Sequence, residues 1–221
     1  MARPNKNFEP QREKLIKIAF DLFVEQGYEN TVITQIMQKA GLTKAGMYHY
    51  FASKEEILNA AVDYSIAKDV EQLREALKPL CVEDKMLHII KGSASPSELI
   101  KQMVQIKYKN KDSYAAYLIR ERIIHAYIPV MEEILQEGID EGTYKVEYPY
   151  PAAEFLVLMG KAIVEPNILP EVNMETRRLR MHAFLQLMMG WLCPSAAHAE
   201  DVVALFEQAL SKLEETEYGK V

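Results

Sequence analysis

The sequence contains few cysteines and no long hydrophobic run. Cys81 and Cys193 are the only two among 221 residues, they lie far apart, and neither belongs to a C-x-x-C motif or a Cys/His cluster. A disulfide framework is therefore excluded, and a reduced, intracellular protein is favoured. No run of about 18 apolar residues occurs, and the N-terminal segment has no apolar signal-peptide core. We therefore expect a cytoplasmic protein with no membrane partner.

Motifs for catalysis and metal binding are also missing. There is no glycine-rich phosphate loop, no G-x-S-x-G elbow and no close carboxylate pair with an evident role. The H-x-x-x-H spacing of paired metal ligands does not occur among His88, His125, His182 and His198. We therefore predict no catalytic residue, no metal site and no cofactor, and an uncharacterised helical enzyme is the least favoured hypothesis.

Charge is distributed unevenly along the chain. Residues 1–54 carry 8 lysines and arginines against 5 acidic residues, a net charge of +3, whereas the remainder carries 18 against 27, a net charge of −9. A mildly basic N-terminal quarter on an acidic body is expected when only that quarter meets a polyanion such as DNA. A chance fluctuation of a few charges is the alternative interpretation.

Apolar residues recur with the 3.6-residue spacing of an α-helix. Residues 11–26 form the clearest amphipathic pattern, in which one face is occupied by Leu15, Ile18, Ala19, Leu22 and Phe23. Gly27 follows as a stop, because only glycine enters the left-handed cap conformation without steric cost. An S-x-x-E capping box at Ser53 predicts the start of a long helix that ends before Pro79.

Helical patterns fill the rest of the chain, and no alternating strand pattern competes with them. The predicted helices cover 33–39, 44–50, 54–78, 83–91, 96–110, 113–138, 151–164, 174–192 and 198–215. Pro129 lies inside one of these patterns and predicts a kink or a break there. The expected fold is all-α: a three-helix domain over residues 1–54, followed by a six- or seven-helix domain over residues 55–221.

Two short helices that meet at Gly41 have the arrangement of a helix-turn-helix, whose second helix lies in the major groove of DNA. The second helix is polar, and the donors it offers to phosphates or base edges are Thr43, Lys44, Tyr48 and His49. A buried helix would not normally carry such a set of side chains, so an exposed reading face is favoured.

A further set of residues is spaced along the N-terminal quarter: Gly27-Tyr28, Thr31, Ile36, the run from Ala40 to Lys44, the run from Tyr48 to Phe51 and the run from Ser53 to Glu56. This set resembles the N-terminal signature of the TetR (tetracycline-repressor-like) family of bacterial regulators. The resemblance implies a homodimer with a three-helix DNA-binding domain. It also implies a larger helical domain that binds a small inducer and dimerises through a four-helix bundle.

The resemblance further implies which residues contact DNA, namely Thr31, Thr34, Thr43, Lys44, Gly46, Tyr48, His49, Tyr50 and Lys54. The sequence departs from the family at the start of the second helix, where a hydroxyl residue often caps the helix and touches a phosphate. Val32 and Ile33 occupy that place. We therefore expect either Thr31 or Thr34 to provide the cap.

The larger domain is expected to hold the dimer interface and the ligand. Helices 151–164 and 174–192 are apolar nearly all round, so both faces must be covered. The interface is assigned to the first of these together with either the second or helix 198–215. Candidate ligand contacts are Tyr117, Glu121, His125 and Met159, for which an ordinary surface hydrogen bond or core packing is the alternative interpretation.

Together these features predict a ligand-responsive transcriptional regulator. It is expected to be a repressor that a small apolar or amphipathic inducer of unknown identity releases from a palindromic operator in double-stranded DNA. The alternative is a DNA-binding regulator or architectural protein that takes no small-molecule ligand.

Overall fold

The computed structural model describes residues 8–94, 114–164 and 173–192, together with residues 200, 203, 204, 207, 208 and 211. Each regular element among these residues is an α-helix, which confirms the predicted all-α fold. The principal helices are α1 (Phe8–Gln26), α2 (Ile33–Ala40), α3 (Lys44–Tyr48), α4 (Lys54–Leu77), α5 (Val82–Ala94), α6 (Tyr114–Asp140), α7 (Pro149–Val164) and α8 (Met174–Leu192). Within the described parts of the chain, no helix is long and apolar enough to cross a membrane.

These residues fall into two compact units that share two long helices. The first unit holds 8–69 and 114–123, and the second holds 70–94 and the described residues from 124 onward. Helix α4 therefore contributes its first two thirds to the first unit, and α6 contributes its N-terminal part to it. The domain boundary expected at residue 54 stays a prediction.

The first unit is built on the apolar faces of four helices. Helix α1 packs against α2, and α2 packs against α3. Their inward side chains are buried almost completely, among them Leu15, Ala19, Phe23, Ile36, Met47, Phe51, Ile57, Leu58 and Ala61. At about 1.5–3 kcal/mol for each large apolar side chain removed from water, this core fixes the short helices α2 and α3, which would not persist alone.

Glycines end the first two helices, as the sequence predicts. Gly27 and Gly41 have positive φ values of 88° and 68°, which is the left-handed region that disfavours a Cβ atom. The N–H of Gly41 donates to the carbonyl of Gln38 at 3.2 Å, and that of Leu42 donates to Met37 at 3.0 Å. The sharp turn between α2 and α3 is therefore set by the backbone itself.

The second unit holds the remaining parts of α4 and α6 together with α5, α7 and α8. Helix α7 packs against both α5 and α8. Tyr144 lies in the loop after α6, its ring covers Gly138 so closely that no Cβ would fit there, and its hydroxyl donates to the Val82 carbonyl at 3.1 Å. This buried tyrosine joins the end of α6 to the start of α5.

Some predictions about helix bounds need correction. Pro129 does not break its helix, because α6 continues through it to Asp140, and the buried neighbours Ile128 and Val130 hold the helix in the core. Helix α3 ends at Tyr48 rather than at residue 50. The predicted helix 96–110 lies outside the described residues, and six residues of the predicted helix 198–215 are described, all of them helical.

Candidate nucleic-acid interface

The short helix α3 has one buried side chain and an exposed face. Met47 is fully buried, whereas the side chains of Thr43, Lys44, Ala45, Tyr48 and His49 are exposed, and Gly46 and Tyr50 are half-buried. Tyr48 is 49% exposed, a large fraction for an aromatic side chain in a single chain. The predicted donors of α3 therefore lie together on an outward face.

Thr43 begins this face as the N-cap of α3. Its hydroxyl oxygen accepts from the backbone N–H of Gly46 at 3.2 Å, which confirms the predicted cap. A Cβ atom at Gly46 would lie 3.4 Å from that hydroxyl oxygen, so glycine leaves the cap undisturbed. The Thr43 hydroxyl is therefore engaged in capping α3, whose first residue is the exposed Lys44.

Aromatic rings form the C-terminal edge of the face. The rings of His49 and Tyr50 meet edge to face, with their centroids 5.4 Å apart. Tyr50 follows α3 and donates its backbone N–H to the Met47 carbonyl at 2.9 Å. The last turn is therefore held by the backbone and by this ring contact, while His49 remains exposed.

Neither threonine caps α2, contrary to expectation. The N-cap is Val32, which is exposed and has no side-chain acceptor. Thr31 is buried completely, and its hydroxyl donates to the Gly27 carbonyl at 2.8 Å. Thr34 lies inside the first turn of α2, where it is exposed. The hydroxyl of Thr31 therefore stabilises the loop before α2, and only Thr34 presents its side chain to solvent.

Sequence reasoning missed the residue that bonds at the start of α2. The side-chain oxygen of Gln35 accepts from the Val32 N–H at 2.9 Å. This is the second half of a capping box, in which a glutamine three residues after the cap bonds back to it. The signal was present as V-x-x-Q, but the missing hydroxyl at its first position concealed it.

Lys54 and Ser53 begin α4. The Ser53 hydroxyl oxygen accepts from the Glu56 N–H at 3.1 Å, which confirms the predicted cap, while the Glu56 carboxylate accepts from Ala52 at 2.6 Å rather than from Ser53. The Nζ atom of Lys54 donates to the carbonyls of Tyr28 and Thr31 at 2.9 and 3.0 Å. The half-buried lysine therefore places a fixed positive charge beside the loop before α2.

Three of the four candidate ligand residues are exposed in the described part of the chain. Tyr117 and His125 are exposed, Met159 is 40% exposed, and Glu121 is half-buried with its carboxylate 3.7 Å from Arg122. A groove of about 630 Å³ in the second unit has a different lining, formed by Pro129, Glu132, Glu133, Gln136, Glu137, Asp140 and Glu141. Its carboxylates make it unlike an apolar pocket.

A second candidate surface lies on α7 and α8, which pack against each other. Phe155 and Leu187 are 57% and 59% exposed, and further exposed apolar side chains on the two helices are Tyr150, Leu158, Met159, Leu179 and Met189. Exposed apolar residues on two adjacent helices indicate a surface that another molecule covers. We call these residues the α7–α8 patch.

Comparison with known proteins agrees with this geometry. The family model described as "Bacterial regulatory proteins, tetR family" matches residues 15–61, which include α2, α3 and the start of α4. The chain is 23% identical over 144 residues to the fatty acid metabolism regulator protein of Bacillus subtilis (strain 168), across 63% of this chain and 74% of that protein. It is 25% identical over 142 residues to the HTH-type transcriptional repressor KstR2 of Mycolicibacterium smegmatis, across 61% and 68%.

Solved structures show the same fold over a larger part of the chain. A TetR-family transcriptional regulator from Cytophaga hutchinsonii superposes with a TM-score of 0.59 at 15% sequence identity, covering 87% of this chain and all of that one. The likeness in fold thus extends well beyond the helix-turn-helix, and the relatives named above are transcriptional regulators.

Proposed function

We propose that the chain is a DNA-binding transcriptional regulator of the tetR family of bacterial regulatory proteins, whose family model matches residues 15–61. In this proposal it is a homodimeric repressor that a small ligand releases from a palindromic operator. The observation that carries the proposal is the exposed face of α3, where Thr43, Lys44, Tyr48 and His49 lie on one side and Met47 alone is buried on the other. A short helix with this division suits insertion into a major groove.

The residues of the interface have separate tasks in this proposal. Lys44, Tyr48 and His49 reach base edges or phosphates, and Gly46 lets the backbone approach the DNA. Thr34, Tyr50 and Lys54 lie beside the sugar-phosphate backbone of the DNA. Thr43 caps α3, and the buried Thr31 stabilises the loop before α2. Two such faces, one in each protomer, would sit about 34 Å apart and contact successive major grooves of a palindrome.

The α7–α8 patch supplies the dimer interface in this proposal. Two adjacent helices that expose Phe155 and Leu187 pair with the same two helices of a second copy, related by a two-fold axis, to give a four-helix bundle. A two-fold axis in the protein matches the symmetry of a palindromic operator. Residues 198–215 are the alternative second helix of this interface.

An apolar or amphipathic ligand completes the proposal. The curated relative from Bacillus subtilis is named as a regulator of fatty acid metabolism, and this supports a ligand with a long hydrocarbon chain. Tyr117, Glu121 and His125, at i, i+4 and i+8 along α6, are the candidate contacts, whereas the fourth candidate, Met159, belongs to the α7–α8 patch assigned here to the interface. Ligand binding would favour a spacing of the two α3 helices that no longer fits successive grooves.

Selection of DNA fragments by the purified protein tests the regulator assignment. Genomic fragments that the protein retains should share a palindrome, and their affinity should fall steeply with salt because phosphate contacts release counterions. Retention without any shared sequence would contradict operator binding. Fatty acids of graded chain length, added to the complex, then separate a ligand-released repressor from a DNA-binding protein that takes no ligand.

A further inference from the structure

A network of polar side chains holds the loop between α1 and α2. The loop covers residues 27–31 and turns the chain at Gly27, whose φ is 88°. Asn30 donates its side-chain amide to the Gln26 carbonyl at 2.9 Å, and the Thr31 hydroxyl donates to Gly27 at 2.8 Å. Side chains of the loop therefore bind the carbonyls of Gln26 and Gly27, and Lys54 binds those of Tyr28 and Thr31.

Gln26 and Gln35 form the centre of this network. The Nε2 atom of Gln26 donates to the Oε1 atom of Gln35 at 2.9 Å and to the Thr31 hydroxyl oxygen at 3.1 Å. The same Oε1 atom accepts from the Val32 N–H at 2.9 Å. A single oxygen atom thus joins the last residue of α1 to the N-cap of α2. We call this contact the amide bridge.

The amide bridge supplies one half of a capping box whose hydroxyl half is missing. The first N–H groups of a helix have no carbonyl partner within the helix, and a serine or threonine cap usually bonds one of them. Val32 adopts the extended backbone of such a cap, with φ −111° and ψ 146°, yet its side chain has no acceptor. The Gln35 N–H donates instead to the Val32 carbonyl at 3.0 Å. The Gln35 side chain holds the Val32 N–H, and Gln26 fixes Gln35.

We infer that Gln35 is a positioning residue for DNA binding: through the amide bridge to Gln26 it orients the N-terminal turn of α2, and with it Thr34, toward the DNA backbone. This inference rests on the proposed function. Helix α2 is followed immediately by the turn at Gly41 and by α3, so its orientation also sets that of the reading face. Both glutamines are half-buried, which places the bridge beneath the interface rather than on it.

Replacement of Gln35 by alanine tests this role. The probe is a duplex that the parent protein recovers from a random-sequence library. We expect Gln35→Ala to bind this duplex about five- to tenfold more weakly, which is the scale of a lost helix cap. A stoichiometric titration at high DNA concentration should give the same active fraction as the parent, because the protein remains folded. Gln136→Ala, an exposed glutamine of the second unit, is the matched control and should bind like the parent.

A restored cap distinguishes positioning from general destabilisation. The Val32→Ser substitution adds a hydroxyl that can accept from the backbone N–H of residue 35, whatever the side chain there, beside the carbonyl of residue 32 that already accepts from it at 3.0 Å. In this background Gln35→Ala should cost less than about twofold in affinity, since serine is among the preferred caps. Gln26→Ala should resemble Gln35→Ala in the parent background.

Three results would overturn the inference. One is equal binding by Gln35→Ala and the parent, and another is the same loss in both backgrounds. The third is a loss explained wholly by a smaller active fraction. If the parent itself recovers no duplex, the proposed function fails and the positioning role fails with it; if only the variants behave otherwise than expected, the proposed function stands alone.

Discussion

Lys54 contacts Tyr28 in two ways at once: its Nζ atom lies 2.9 Å from the Tyr28 carbonyl oxygen and 4.2 Å from the centroid of the Tyr28 ring. A second carbonyl, that of Thr31, lies 3.0 Å away. Charge-assisted hydrogen bonds and a close cation–π contact together hold the ammonium group in one place. The first residue of α4 is therefore fastened to the loop before α2.

Lys54→Met should lower stability as well as DNA affinity. The change removes two hydrogen bonds from a charged donor and one cation–π contact, and we expect a loss of about 1–3 kcal/mol in the free energy of unfolding. Equilibrium denaturation in urea measures it. Lys68→Met, at an exposed position of the same helix, is the control. Equal stability of the two variants would show that the contacts of Lys54 contribute nothing to the fold.

Lys44→Ala and His49→Ala should weaken DNA binding without unfolding the protein. Both side chains are exposed on α3, so their truncation leaves the core intact. A lost phosphate contact should reduce the slope of log affinity against log salt by about 1, whereas a lost base contact should also relax the sequence preference at one position. Binding is measured by fluorescence anisotropy over a salt series, with Lys78→Ala in the second unit as the control. Parent-like binding by both variants would rule out α3 as the reading helix.

Phe155→Glu and Leu187→Glu should convert the proposed dimer to monomers. A carboxylate at either position would be buried without a partner at the proposed interface, which costs several kcal/mol by order of magnitude. Sedimentation velocity gives the oligomeric state, and affinity for a palindromic duplex should fall with it. Gln72→Glu adds the same charge at an exposed position of α4 and should stay dimeric. Dimeric behaviour of both patch variants would place the interface elsewhere.

Tyr144→Phe should make the free energy of unfolding less sensitive to alkaline pH. Burial, aided by the nearby Glu83 carboxylate, raises the pKa of Tyr144 above its ordinary value of 10. As the pH rises through 10 the unfolded chain loses this phenolic proton while the folded chain keeps it, so stability that is complete below pH 10 falls progressively above it.

The curves of stability against pH for the variant and the parent should therefore cross. At about pH 7 it lacks the hydrogen bond to Val82 and should be less stable by about 1 kcal/mol. At about pH 11 it no longer has a buried phenol to ionise, and the difference should shrink or reverse. Urea denaturation at both values measures the change. Parallel curves for the parent and variant would contradict a titration of Tyr144.

Local signals made most of the first unit predictable. The apolar spacing of α1, the glycines at 27 and 41 and the hydroxyl caps at Thr43 and Ser53 each act within one or two helical turns. Such signals can be recognised in the sequence, because the residues that form each capping hydrogen bond lie within a few positions of each other. The exposed face of α3 followed from its unusual polarity.

The contact between Gln26 and Gln35 was not predictable in the same way. Gln26 and Gln35 are nine residues apart, and their contact exists only once the intervening loop has folded. The two carbonyls that bind Lys54 lie 26 and 23 residues before it in sequence. Contacts of this kind depend on tertiary packing, and the residues themselves carry no local pattern that indicates them.

The division of α3 into one buried residue and an exposed face has an evolutionary consequence. Met47 supports the fold, while Lys44, Ala45, Tyr48 and His49 touch little of the protein's interior. If this face reads DNA as proposed, substitutions at these four positions alter the preferred DNA sequence and leave the stability of the domain nearly unchanged. A duplicated copy of this gene can therefore acquire a new set of target promoters in a few steps, without passing through an unfolded intermediate.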